Sequence, residues 1–326
     1  MRASAIGRIV GVLVAGWAVT GATADAQAPG GRGGAKVLEE ADLSKVEIKA
    51  TKISNNFYTL NAREEVPFSG ATVGALVGPD GVFLVDSRFP SLTEKLMAAI
   101  RQFSDGRIRF VVNTHVHSDH TWGNANFAKM GAIIMAREEL RARLATGSLT
   151  AGGPVPDWYP PSPPAALPMV MYRGPVTVHI NGEDVQLIPV PLAHTDGDTM
   201  VRFPVADVLM TGDFFRSSGY PNIDRNNGGT LKGTLEGLNA AISAIGPNAK
   251  VIPGHGAVTD RAGVTAHRDM IVVVRDRIAQ LIQQGKTVEE VTAAKPTADY
   301  DARVPGGTGT AARFVGQLYA ELKGTR

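Results

Sequence analysis

Cysteine is absent from all 326 residues. No disulfide framework can form, and no thiolate is available as a metal ligand or a nucleophile. Charge of one sign is also lacking: 33 Lys and Arg against 31 Asp and Glu give a formal net charge of +2. With no run of basic residues, the chain carries no footprint for nucleic acid. Histidine is sparse, at seven residues. No apolar run is long enough to span a bilayer comfortably. What remains, 44% hydrophobic and 20% charged, is the composition of an ordinary globular protein with enough chain for one large core.

The first residues read as a targeting segment. Arg2 and Arg8 precede a short apolar stretch from Ile9 to Val19, and small-residue sites follow at Ala22-Thr23-Ala24 and Ala24-Asp25-Ala26. This layout predicts a signal peptide over 1–26 and an exported chain, periplasmic or secreted, with no stable membrane anchor after cleavage. The lack of thiols agrees with export. Pro29-Gly30-Gly31-Arg32-Gly33-Gly34 has no means of packing and predicts a flexible tail over 27–45, with one domain over 46–326.

From there, strand-like runs and amphipathic stretches alternate. Val46 to Ile53, Phe57 to Leu60, Thr72 to Val77 and Val82 to Val85 read as strands, the last two joined by Gly78-Pro79-Asp80-Gly81. Ser91 to Phe103 reads as a helix capped by Ser91, and Ile108 to Val112 as a strand buried on both faces. Trp122 to Met130 and Arg137 to Leu144 read as helices, with a strand at Ala132 to Met135 between them. Seven prolines in 152–168 predict an ordered insert or a lid over substrate. Strands return at Val176 to Ile180, Val185 to Val190, Met200 to Phe203 and Val208 to Met210. Helices follow at Thr230 to Ile245, Asp260 to Gln284 and Thr310 to Leu322, with a strand at Lys250 to Ile252. Such interleaving implies an α/β fold of sheet layers covered by helices.

The chemistry concentrates at Thr114-His115-Val116-His117-Ser118-Asp119-His120, which places three of the seven histidines within six residues, just past a strand. Three more strand ends carry candidate ligands: His194 in Pro191-Leu-Ala-His-Thr-Asp-Gly-Asp198, Asp213 in Thr211-Gly-Asp-Phe214, and His255 in Pro253-Gly-His-Gly256. His179 and His267 lack such a setting and read as structural or surface residues. His115, His117 and His194 offer three neutral nitrogens, the usual count for a zinc that keeps one open position. Asp119, His120 and His255 offer a second, mixed site, and Asp213 can bridge the two. These donors suit two Zn2+ ions best, with Fe or Mn as alternatives. The chemistry such a pair supports is hydrolysis by a metal-activated hydroxide, with Asp119 and Asp213 as its catalytic carboxylates.

Taken together, the His-x-His-x-Asp-His run, His194-Thr195-x-Gly197-Asp198, Gly212-Asp213 and Gly254-His255-Gly256 resemble the metallo-β-lactamase-fold hydrolase superfamily over roughly residues 50 to 260. The resemblance implies a four-layer αββα sandwich with a dinuclear site on one edge, the ligand roles given above, and Asp86 as a support behind the ligands. An aspartate at 213 resembles the glyoxalase II, lactonase and ribonuclease Z branches. The lactamases most like the founding enzymes use a cysteine, which is absent here. The implied activity is cleavage of an ester, lactone, thioester or β-lactam bond in a small molecule. The alternatives are a β-lactamase proper, a small-molecule phosphodiesterase, or a periplasmic protein that binds metal without turnover. A diiron redox branch shares the fold, but it has a glutamate where His117 stands and a flavin domain. For substrate contacts, Tyr220 is a candidate hydrogen-bond donor to an oxyanion and Trp158 a candidate hydrophobic wall, while Trp122 reads as packing.

Overall fold

The computed structural model describes residues 36–37, 43–62, 70–150 and 157–324. The two-residue strand β1 (Lys36–Val37) is followed by β2 (Ile48–Lys52), β3 (Phe57–Ala62), β4 (Val73–Gly78) and β5 (Gly81–Val85). Next come α1 (Thr93–Ile100), β6 (Ile108–Val112), the short helices α2 (Ser118–Thr121) and α3 (Asn124–Lys129), β7 (Ile133–Arg137) and α4 (Glu138–Thr146). Three short strands, β8 (Ser148–Thr150), β9 (Asp157–Tyr159) and β10 (Val170–Tyr172), lead into β11 (Val176–Ile180), β12 (Glu183–Pro189), β13 (Thr199–Phe203) and β14 (Val208–Gly212). The rest is α5 (Leu231–Ala244), β15 (Lys250–Pro253), α6 (Arg261–Gln283), α7 (Val288–Ala293), α8 (Ala298–Asp301) and α9 (Gly307–Leu322).

These strands form a seven-stranded sheet, β10-β7-β6-β5-β4-β3-β2, a five-stranded sheet, β11-β12-β13-β14-β15, and a small sheet, β1-β9-β8. Neighbouring residues on a strand point to opposite faces. Val85, Val112, Met210 and Ile252 therefore enter the layer between the two large sheets, where Phe57 meets Phe203 with ring centroids 4.6 Å apart. Their strand neighbours Leu84 and Val111 pack outward under Leu96 and Ile100 of α1 and Phe127 of α3. On the far side, Leu209 and Val251 pack under Leu238 of α5, Ile271 and Val274 of α6, and Phe314 and Leu318 of α9. The continuous apolar runs of the sequence are thus two-faced strands, and the result is the expected four-layer αββα sandwich.

Topology places the candidate ligands. β5, β6 and β7 run parallel in one sheet, and β14 and β15 run parallel in the other. Their C-terminal ends open on the same edge of the sandwich, where ligand sites of layered α/β folds form. Asp86, the 115–120 run, Asp213 and His255 all directly follow these ends.

Several expectations need correction. Ser91 does not cap a helix: it lies inside the 3-10 turn Pro90–Leu92, and α1 starts at Thr93 with no capping side chain. β6 is not buried throughout, since Arg109 is exposed. The helix expected over 122–130 is interrupted at Trp122-Gly123. There the Gly123 N–H donates to the Arg88 carbonyl at 2.7 Å, and a Cβ would lie 2.2 Å from the Ser87 oxygen. The tail expected over 27–45 is partly anchored: Lys36 and Val37 pair with Asp157 and Trp158, and Leu43 is buried against Phe89 and Leu92. In the proline-rich insert, the proline-free stretch Asp157–Tyr159 forms β9, while 151–156 lie outside the described residues. Among the described residues no helix is long and apolar enough to cross a membrane. Residues 1–26, read above as a signal peptide, also lie outside them.

Candidate metal centre

The chain after β6 bends through 114–116 into α2, so His115 projects from the bend and His117 from the extended residue before the helix, while Asp119 and His120 project from the first helical turn. His194 lies in the β12–β13 connection. That loop is held by the buried Asp198 carboxylate, which accepts from the His194 N–H at 2.6 Å and the Thr195 N–H at 3.0 Å. Burial raises the Asp198 carboxyl to about 7 against those hydrogen bonds. Asp213 and His255 come together because Gly254 lets the chain pass close: a Cβ there would lie 2.0 Å from Asp213 Oδ1. The Gly254 N–H donates to the Gly212 carbonyl at 2.9 Å.

All seven expected ligands converge. His115, His117 and His194 form one group, His115, His120 and Asp213 a second, and Asp119, His120 and His255 a third, with ligand atoms inside each group within 4.8 Å of one another. The rings of His115, His117 and His194 stand nearly perpendicular to one another, with centroids 4.6 to 4.8 Å apart. Asp213 reaches both sides: Oδ1 lies 3.5 Å from His120 Nε2, and Oδ2 lies 3.4 Å from His255 Nε2 and 3.9 Å from His194 Nε2. Asp119 Oδ2 lies 3.1 Å from His255 Nε2.

Hydrogen bonds on the outer sides of the rings assign the tautomers. His117 Nε2 lies 2.7 Å from Asp224 Oδ2, His120 Nδ1 lies 2.7 Å from Asp86 Oδ2, and His194 Nδ1 lies 2.5 Å from the Asn222 carbonyl. Each partner is an acceptor, so each of these nitrogens carries a proton, and the other nitrogen of the ring is turned inward toward the cluster. His117 Nδ1 and His194 Nε2 then face each other at 3.1 Å, sharing one proton when His117 is charged and presenting two lone pairs when it is neutral. His115 Nε2, His120 Nε2 and Asp213 Oδ1 are buried without a hydrogen-bond partner. Three buried ligand atoms left without partners in one cluster suit a cation set among the donors. The donor set fits metal.

Ionisation follows the same logic. Burial, then the neighbouring imidazoles, hold His115 well below the usual histidine range, and burial with His117 holds His194 at about 3. Burial opposes charge on His117 and His120, but Asp224 for the first and Asp119 with Asp86 for the second outweigh it and raise both. Burial also disfavours the Asp119 and Asp213 carboxylates. His120 and His255 for Asp119, and His255 and Arg216 for Asp213, nonetheless keep both ionised far below the usual range.

Two candidate substrate residues fare differently. Tyr220 is fully buried, stacks on Phe314, and donates its hydroxyl to Asp301 at 2.7 Å and to the Thr297 carbonyl at 3.2 Å. It anchors its loop to α8 and α9 and offers nothing to an oxyanion. Tyr220→Phe should leave kcat/KM within about twofold and cost about 1 kcal/mol of stability. A tenfold fall in kcat at unchanged melting temperature would restore the catalytic role. Trp158 lies on β9, and its side chain is outside the described residues. Next to it, the Tyr159 ring stands 5.8 Å from His117 and 6.1 Å from Trp122.

Sequence reasoning did not single out Asp224 or Asn227 within the turn-rich loop 216–229, which it expected to pass close to the site. His179 is exposed and pairs with Asp184, as expected for a surface residue. His267 is structural: its ring meets Phe215 edge-on at 5.1 Å, and burial, then Arg216, lower it to about 4. Its folded value lies below its unfolded value near 6.5, so the unfolded chain binds the extra proton. Its contribution is therefore complete above about pH 6.5 and lost progressively between about 6.5 and 4. Melting curves across that window should fall less steeply for His267→Gln than for wild type, and equal slopes would refute the assignment.

Comparison with known proteins agrees with this geometry. Residues 66–257 match the family model of the metallo-beta-lactamase superfamily. The crystal structure of the DIM-1 metallo-beta-lactamase superposes with a TM-score of 0.57 at 19% identity, covering 70% of this chain and 99% of that one. A metallo-beta-lactamase from Pontibacter korlensis gives 0.55 at 18% identity, over 69% and 99%. The sec-alkylsulfatase Pisa1 from Pseudomonas sp. gives 0.64 at 15% identity, covering 84% of this chain and 50% of that one. No curated protein matches the chain. Fold, ligand constellation and family match together place the chain in the metallo-beta-lactamase superfamily of metallo-hydrolases.

Proposed function

We propose that this chain is an exported, zinc-dependent hydrolase that holds two cations and cleaves an ester, lactone, thioester or β-lactam carbonyl bond of a small molecule. The observation that carries the reading is a constellation of seven donors in which His115 Nε2, His120 Nε2 and Asp213 Oδ1 are buried without a hydrogen-bond partner. His115, His117 and His194 would hold one cation, and Asp119, His120 and His255 the other, with Asp213 between them. Nitrogen and oxygen donors favour zinc, with iron or manganese next. Bound there, the cations would supply an activated water and a Lewis acid for the substrate oxygen.

The protein's own groups do the rest. Asp119 and His255 keep 19% and 25% of their side chains exposed, against 5% for Asp213, so substrate approaches from their side. Asp119, kept ionised by its histidine neighbours, orients the attacking water and accepts its proton. Asp213 is almost enclosed and holds its place between the two ligand sets, with Arg216 Nη1 3.8 Å from its Oδ2.

The test is metal analysis of the purified chain, paired with turnover of nitrocefin, a homoserine lactone, a thioester, a phosphodiester and a secondary alkyl sulfate. The sulfate ester is included because a sec-alkylsulfatase shares the fold over 84% of this chain. About two zinc ions per chain, as a dinuclear hydrolase requires, with one carbonyl substrate preferred, is the expected result. Preference for the phosphodiester or sulfate would move the activity to those esters. Bound metal with no turnover on any would favour a binding protein, and less than one ion per chain after zinc is supplied would sink the reading. Export rests on Arg2, Arg8 and the apolar stretch behind them, and a chain that stays in the cytoplasm with Met1 retained would overturn it.

A further inference from the structure

The 224–229 segment lies directly on the metal ligands. The Asp224 N–H donates to the His194 carbonyl at 2.9 Å, and Asp224 Oδ2 receives His117 Nε2 at 2.7 Å. Gly229 packs so tightly that a Cβ would lie 2.3 Å from the His194 oxygen. At the centre of this segment stands Asn227, fully buried. Its Nδ2 donates twice, to Asp224 Oδ2 at 2.6 Å and to the Leu149 carbonyl of β8 at 2.8 Å. Its Oδ1 accepts from Arg143 Nη1 of α4 at 3.0 Å. The same guanidinium grips both oxygens of Asp196, at 2.7 and 2.5 Å, two residues after His194. The Asp196 N–H in turn donates to the Asn227 carbonyl at 2.8 Å.

One amide therefore connects three things that sequence keeps far apart. Through Asp224 it reaches His117, through Arg143 and Asp196 it reaches the His194 loop, and through Leu149 it reaches the β8–β9 pair. β8 and β9 are antiparallel, with Leu149 opposite Trp158 and Ser148 opposite Tyr159. Tyr159 is the residue whose ring stands edge-on to His117. A donor to a carboxylate that itself holds a ligand histidine fixes the direction of the imidazole lone pair, the arrangement whose loss weakens metal sites. Asparagine suits the place by shape and donor count: one NH2 supplies both donations while the oxygen receives the arginine.

We propose that Asn227 is a positioning residue that locks the metal ligand His117 and the β8–β9 pair into one hydrogen-bonded unit, making the Tyr159 side of that pair a wall of the substrate site. The inference rests on the metal reading of the histidine cluster. It implies linkage: a cation bound at His115, His117 and His194 stabilises the β8–β9 pair, and a loosened pair weakens the cation.

Cobalt(II) titration of the full chain, followed by its visible absorption and by amide hydrogen exchange of 148–150 and 157–159, tests this directly. In wild type, cobalt should slow exchange of those amides. In Asn227→Ala the affinity should fall about 10- to 100-fold, and the exchange should no longer respond to cobalt. Asn227→Asp keeps the shape but turns the donor face against Asp224, and it should fall at least as far while melting as a folded chain. Arg143→Lys, which loses the forked grip, should give an intermediate loss. Unchanged cobalt affinity and spectrum in folded Asn227→Ala and Asn227→Asp would overturn the proposal, as would β8–β9 exchange indifferent to cobalt in wild type. A wild-type chain that takes up no cobalt would instead sink the metal reading and this inference with it.

Discussion

Replacing His115 by alanine is expected, on the proposed two-cation site, to remove one cation and to lower kcat/KM by at least about 10³-fold, since Lewis-acid stabilisation of a transition state is worth several kcal/mol. The His115 ring lies between those of His117, His120 and His194, with centroids 4.8, 3.9 and 4.6 Å away. Its Nε2 is buried with no protein partner. Without a cation this imidazole stabilises little: burial and its imidazole neighbours hold it well below the usual histidine range. The metal-free variant should therefore melt at or above the temperature of the metal-free wild type, and the difference should reverse when zinc is added. Asp213→Ala should lose metal and activity as well. It should also destabilise the metal-free chain, because His120, His255 and Arg216 lose the carboxylate they share. An unchanged rate in either variant would refute the ligand assignment, and a destabilised metal-free His115→Ala would show that the ring serves the fold instead.

The layers were legible because burial on two faces leaves a plain mark. Val111-Val112, Leu84-Val85 and Leu209-Met210 are adjacent apolar pairs whose members serve different cores, and only a sheet covered on both sides requires that. Helix ends were less legible. Thr230 and Asp260 do cap α5 and α6, each accepting from the N–H three residues on. Ser91 has the same chemistry, but Pro90 starts a 3-10 turn one step too early. The register of that turn is set by packing of Phe89 and Leu92 on Leu43, a contact between residues more than forty positions apart.

At the site, the residues that converge were legible and the groups that hold them mostly were not. Histidines clustered at strand ends stand out in a chain with only seven. Asp224 does not, because an aspartate in an Asn- and Gly-rich loop is ordinary turn chemistry. Its distinguishing feature is a partner 107 positions away, His117, which no local pattern reports. Tyr220 shows the reverse error. Its loop does pass close to the site, as expected, but the ring turns away toward Phe314 on a helix whose docking the sequence does not specify.

Asp86 was legible as a support, and its two substitutions should separate the cost to the fold from the cost to the metal. Its Oδ1 accepts the Thr114 N–H at 2.7 Å, and its Oδ2 accepts the Thr114 hydroxyl at 2.8 Å and His120 Nδ1 at 2.7 Å. Its backbone sits at φ +67°, a conformation that aspartate and asparagine tolerate better than alanine. Asp86→Ala leaves a buried amide and a buried imidazole N–H without acceptors. It should cost about 3–5 kcal/mol of stability, together with about 10- to 100-fold in metal affinity. Asp86→Asn keeps the backbone preference and the acceptor for Thr114. Its NH2 then faces His120 Nδ1, which must give up its proton, so the proton moves to Nε2 and occupies the lone pair meant for the cation. This variant should remain close to wild type in urea denaturation of the metal-free chain while binding zinc nearly as poorly as Asp86→Ala. If Asp86→Asn binds zinc normally, Asp86 does no more than brace the β5–β6 junction, and the orientation of His120 is set elsewhere.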